Sequence, residues 1–161
     1  MKIYKYLKTP AYFLSMFFAM LITTTLVSTT AYAETKMVEV YTKFSDQQLI
    51  DIVKKKHPTV ELIEKGKIRI TSDSGIKLVI YNQRDDGSLT FRMYFDGDNT
   101  SLKSVNKWNA TKRFLTAYKD GDLALKDDLD VEEGISEAYL LDTLTRIFVG
   151  AYLFASEMKK E

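Results

Sequence analysis

Apolar positions change their spacing several times along this chain, and each change marks an element. Between Leu89 and Phe95 they fall on every second residue. Leu89, Phe91, Met93 and Phe95 share one face, and Thr90, Arg92 and Tyr94 share the other. That alternation predicts a strand buried on one side. Nearer the C-terminal end the spacing becomes three and four residues. Leu140, Leu144, Ile147, Ala151, Phe154 and Met158 form the stripe of a long helix, which Ser136 caps and which Ile135 and Leu140 staple.

The intervening segments follow the same logic. Ser45 and Gln48 make an S-x-x-Q capping box, Phe44 and Leu49 are spaced as a hydrophobic staple, and Leu49, Ile52 and Val53 supply a buried stripe up to the stop at Pro58. Short strands are predicted over 60–63, 67–71 and 76–83, separated by Lys65-Gly66 and Asp73-Ser74-Gly75; Asp86-Gly87 then signals a hairpin. Asp96-Gly97-Asp98-Asn99 ends the sheet run. A second helix over about 101–112 places Leu102, Val105 and Asn109 on one face with Trp108 beside it. Strands over 114–119 and 123–131 close a hairpin around Asp120-Gly121. The order is α-β-β-β-β-α-β-β-α, and tight turns between strands make the sheet antiparallel. The predicted class is α+β, with helices flanking that sheet.

The first 33 residues belong to a different kind of segment. Lys2, Lys5 and Lys8 precede an apolar run from Ala11 to Ile22, and Ala31-Tyr32-Ala33 offers a small-x-small cleavage site. Residues 1–33 are read as an export signal, 34–43 as a short tether and 44–161 as the α+β domain. The expected location is the periplasm, or the medium in a single-membrane organism. Retention of the signal would instead anchor the domain at a membrane. Its removal takes three lysines and no acid from a chain of 23 basic and 22 acidic side chains, leaving a slight acidic excess. That balance predicts no nucleic-acid partner.

Composition narrows the chemistry further. Without cysteine there is no lipid attachment, disulfide or thiol nucleophile, and one histidine cannot build a zinc site or a Ser-His pair. His57, beside Pro58 at a helix end, reads as a capping or solvent-exposed side chain. The acids from Asp120 to Glu133 are densest around the second hairpin, but on a strand Asp127 points away from Asp128 and Asp130. They therefore read as a solvated hairpin, and no metal, cofactor or catalytic residue is expected. Among the aromatics, Phe91, Phe95, Phe114 and Phe148 are assigned to the core and Tyr81, Tyr94, Tyr118 and Tyr152 to a second face. Exposure there would mark a binding surface.

Val105-Asn106-Lys107-Trp108-Asn109 is unusual, because asparagine competes for backbone hydrogen bonds inside a helix. One of the two asparagines is expected to reach neighbouring backbone while Trp108 packs alongside. The segment continues through Arg113-Phe114-Leu115-Thr116-Ala117-Tyr118, an acidic turn, Leu123-Ala124-Leu125, Asp128-Leu129-Asp130 and Gly134. With this core the chain resembles the YbjN family of bacterial regulators from Phe44 to Met158, most specifically from Val105 to Gly134. The resemblance implies a fold like that of type III secretion chaperones and a non-enzymatic regulatory or binding role. It brings no catalytic residues.

The expected function is therefore that of an exported, non-catalytic module recognising a protein of the cell envelope. The partner surface is placed near Asn106, Trp108 and Asn109, and the final helix, apolar beyond one stripe, offers a homodimer interface. The alternative is an envelope protein that binds a small apolar ligand between sheet and helices, distinguished by an apolar pocket in place of a packed interior.

Overall fold

Local signals in the sequence become tertiary anchors in the computed structural model, which describes residues 38–96 and 100–158. The export signal, the first part of the tether and most of the Asp96–Asn99 turn lie outside the described residues. Helix α1 (Asp46–Lys54) starts with the predicted box. Ser45 Oγ accepts from the Gln48 N–H at 3.2 Å, and the Ser45 N–H donates to Gln48 Oε1 at 2.8 Å. Both staple residues, Phe44 and Leu49, are buried.

Strands β2 (Val60–Glu64), β3 (Lys67–Thr71), β4 (Lys77–Tyr81), β5 (Leu89–Phe95), β6 (Thr116–Asp120) and β7 (Asp122–Leu129) form a six-stranded antiparallel sheet in the order β2-β3-β4-β5-β7-β6. Helix α2 (Leu102–Thr111) precedes β6, and helix α3 (Glu137–Met158) ends the described chain. The class and element order are as predicted, with two additions. Val40–Tyr41 (β1) and Ile135–Ser136 (β8) pair antiparallel as a small second sheet. The residues 38–43 expected to be tether thus contribute a strand, and Tyr41 stacks on Phe44 at 4.9 Å.

Period two decides which side of the large sheet is covered. Ile68, Ile70, Leu78, Ile80, Leu89, Phe91, Met93, Leu123 and Leu125 join one apolar cluster with Leu49, Ile52 and Val53 of α1, Val105 and Trp108 of α2, and the α3 stripe. All three helices therefore lie on one side. Two expectations about this core need correction. Leu102 is exposed, because α2 turns Ser104, Val105 and Trp108 inward. Phe114 is exposed as well; it lies in the link before β6, and the guanidinium of Arg146 sits 4.8 Å from its ring centroid.

His57, read as a capping or solvent-exposed side chain, closes the helix end with its backbone N–H on the Val53 carbonyl at 2.9 Å, and its ring is only partly in solvent. Its ring lies 4.9 Å from that of Phe148, and its Nε2 is buried with no hydrogen-bond partner among the described residues. Burial lowers its pKa below the ordinary 6.5, Lys56 adds to the effect, and Asp73 opposes it. Below that ordinary value the unfolded chain binds more protons than the folded one, so stability falls as pH drops through this window. Urea denaturation between about pH 7.5 and 5.5 should show the loss, and His57→Gln should flatten it. An unchanged slope in the variant would assign the dependence to other groups.

Candidate functional site

The three residues singled out on α2 are held differently. Trp108 is 2 % exposed, and its Nε1–H donates to the Leu115 carbonyl at 3.0 Å. Asn109 Nδ2 donates to the Ala117 carbonyl at 2.9 Å, and the Ala117 N–H donates back to Asn109 Oδ1 at 2.8 Å. Asn109 is thus the asparagine that reaches neighbouring backbone, and Trp108 packs beside it. Both side chains fasten α2 to the start of β6. Asn106 is exposed on the outer side of the helix. The three share a helix without converging on one cleft.

A different set of residues does converge, on the sheet face that no described helix covers. Cross-strand register places Lys67 opposite Tyr81 and Tyr81 opposite Thr90, Val79 opposite Arg92 and Arg92 opposite Lys126, and Tyr94 and Tyr118 on either side of Ala124. Cross-strand neighbours on one face are close enough to interact directly. Ala124 is only 1 % exposed although it belongs to this uncovered face, where Tyr94 and Tyr118 flank it in register. Arg92 lies 5.2 Å from the Tyr81 ring centroid and Lys67 lies 5.7 Å from it, both within cation–π range. A depression of about 500 Å³ opens beside this group, lined by Arg92, Tyr94, Tyr118, Asp120, Asp122 and Lys126.

The charges on this face are unevenly matched. Arg69 pairs with Glu61 at 2.6 Å, Lys67 with Glu64, and Lys126 with Asp128 at 2.7 Å. Thr90 Oγ1 also donates to Asp128 at 2.6 Å. Burial pushes the Asp128 carboxyl up, but Lys126 and Thr90 outweigh it and hold the group below its usual value. The neighbouring Tyr94 phenol raises the already high pKa of Arg92. Desolvation pushes up Tyr81 and Tyr118, so both phenols stay neutral at physiological pH. The Arg92 Nε is buried with no partner among the described residues.

The remaining acids diverge as the alternation required. Asp127 is on the helix side, where burial raises its pKa and Arg146 opposes the rise, while Asp128 is on the open side. No group of three potential metal ligands occurs among the described residues. A larger hollow of about 730 Å³ lies at the start of α1 near Lys43, Lys65 and Arg84. Several of its polar groups are engaged internally: Asn82 Nδ2 donates to Asp46 at 2.9 Å and to the Phe44 carbonyl at 3.0 Å, and the Gly66 N–H donates to Asp46 at 2.8 Å. The space between sheet and helices is filled by fully buried side chains, Phe91, Leu140 and Phe154 among them.

Alternation in the sequence had already set Thr90, Arg92 and Tyr94 apart from the core face. What it could not supply was the neighbour relation of Tyr81 and Tyr118 to Arg92, which depends on sheet order. The fourth tyrosine assigned to that face, Tyr152, instead stands on the outer side of α3 with Tyr139, Val149 and Leu153, all exposed.

The YbjN family model, described as "Putative bacterial sensory transduction regulator", matches residues 47–152. No curated protein and no solved structure matches the chain.

Proposed function

The chain belongs to the YbjN family of bacterial regulators, and from that premise we propose that it is an exported, non-catalytic regulatory module that acts by binding a protein partner. The observation that carries the proposal is the uncovered sheet face, where Tyr81, Tyr94 and Tyr118 surround Arg92. Tyrosine and arginine are the residue types that most often dominate binding energy at the centre of protein interfaces. A rigid antiparallel sheet presents them with little conformational freedom left to lose on binding. Export rests on the basic, apolar and small-residue pattern of residues 1–33.

Site-specific photo-crosslinking in living cells tests the surface. A photoreactive residue at Tyr94 is expected to give a discrete protein adduct, whereas one at Asn106 or Tyr152 gives none. Adducts confined to Asn106 or Tyr152 would move the partner surface to a helix. Fractionation with N-terminal sequencing tests export; the expected product starts at Glu34 outside the cytoplasm, and an intact cytoplasmic chain would overturn that part.

A further inference from the structure

We infer that the partner segment docking on the open sheet face is acidic, and that one of its carboxylates is received by Arg92 between Tyr81, Tyr94 and Tyr118. This rests on the reading of that face as the partner surface and adds the chemistry of what it takes.

The inference starts from the arrangement of charge. Lys67 and Arg69 on β3, Arg92 on β5 and Lys126 on β7 stand on one face of the sheet. Three of the four have a carboxylate partner, supplied by Glu64, Glu61 and Asp128. Arg92, at the centre on β5, has none within ion-pair distance among the described residues. Its neighbours are phenols, and its buried Nε has no acceptor among the described residues, so an incoming acid meets the outer nitrogens of the guanidinium. Lys77, on the same face at the end of β4, adds a further exposed cation.

A partly desolvated guanidinium is ordinarily satisfied by a carboxylate or phosphate, whose geometry its planar fork matches with two parallel hydrogen bonds. The surrounding phenols are suited to hold such an anion, because neutral hydroxyls donate to it and the ring faces pack on the aliphatic parts of its segment. Most acids on this face are tied to other cations; Asp120 and Asp122, which flank the β6–β7 turn, line the side of the Arg92 depression nearest that turn. A peptide that brings an acid to Arg92 from the Tyr81 side therefore meets complementary charge at the centre, and like charge where it enters the depression toward Asp120 and Asp122. Such an arrangement sets register as well as affinity.

The test uses the purified protein and a short synthetic peptide of alternating glutamate and leucine, alongside a version with glutamine in place of every glutamate. Calorimetry is expected to show binding of the acidic peptide and at least about ten-fold weaker binding of the amide version, as fits a charge-assisted pair. Arg92→Gln should erase the difference. An NMR readout of the Arg92 Nε–H resonance needs no variant that must fold, and it should move on adding the acidic peptide. Equal binding of both peptides, lost together in Tyr94→Ala, would overturn the acidic partner and leave the open face as the docking surface. Binding indifferent to Tyr94→Ala, or no binding at all, would also overturn the proposal, and the crosslinking result would then judge the surface independently. A resonance shift produced by phosphatidylglycerol vesicles and not by the peptide would assign Arg92 to a lipid headgroup and overturn it likewise.

Discussion

Replacing Trp108 with alanine is expected to remove about 3–5 kcal/mol of folding stability. Three effects coincide at this side chain. Its ring is 2 % exposed and meets Phe154 edge to face at 4.9 Å, so truncation opens a cavity between α2 and α3. Its Nε1–H is bonded to the Leu115 carbonyl, which would lose that partner inside the fold. Leu115 itself has φ 64°, the left-handed region that a branched side chain rarely adopts. It is held there by the tryptophan and by close packing on Gly150, where an added Cβ would lie 2.4 Å from Leu115 Cδ1.

Trp108→Phe separates the terms. It keeps most of the apolar volume and loses the hydrogen bond, so a loss of about 1–3 kcal/mol is expected. Trp108 is the only tryptophan in the chain, so unfolding has to be followed by far-ultraviolet circular dichroism, because the fluorescence disappears with the residue. Total stability of such a domain is on the order of 5–15 kcal/mol, and the alanine variant would retain only part of it. A loss below about 1 kcal/mol would show that the α2–α3 junction repacks and that Trp108 is no anchor.

The same junction shows where sequence reasoning succeeds and where it stops. Capping at Ser45, the α3 stripe and the alternation in β5 are local patterns, and each fixes its own element. Asn109 belongs with them, since an asparagine inside a helix must direct its amide somewhere, and it does so to Ala117. Leu102 and Phe114 look equally apolar in sequence but are exposed, because their burial depends on how α2 is rotated against the sheet. That rotation is set by Ser104, Val105 and Trp108 together. The Arg92 surface was half legible: its strand face could be read from period two, but its tyrosine neighbours come from β4 and β6 and required the strand order. The pairing of β1 with β8 left no periodic signal at all, since two-residue strands are too short to show alternation.

The placement of the residues that follow β1 can be tested at one glycine. Gly87→Ala is expected to cost about 2–4 kcal/mol, combining backbone strain with a clash that no rotamer change relieves. Gly87 has φ +80°, and a Cβ there would stand 2.7 Å from the Thr42 carbonyl oxygen, 3.3 Å from Val131 Cγ2 and 3.5 Å from Lys43 Cα. Two of those three contacts are backbone atoms of the segment that sequence alone marked as a tether. Gly75 and Gly121 provide the comparison. They have φ +82° and +72° with nothing within 4 Å, so their alanine variants carry only the left-handed strain, about 1–2 kcal/mol. Denaturant midpoints of the three variants should place Gly87→Ala clearly lowest. If all three match, the Thr42–Lys43 segment yields freely when pushed, and residues 38–43 behave in solution as a tether despite their strand pairing. If Gly87→Ala is set apart, the segment is fixed against the β4–β5 hairpin. The folded unit would then begin before Phe44, and a version of the domain trimmed to that residue should lose stability too.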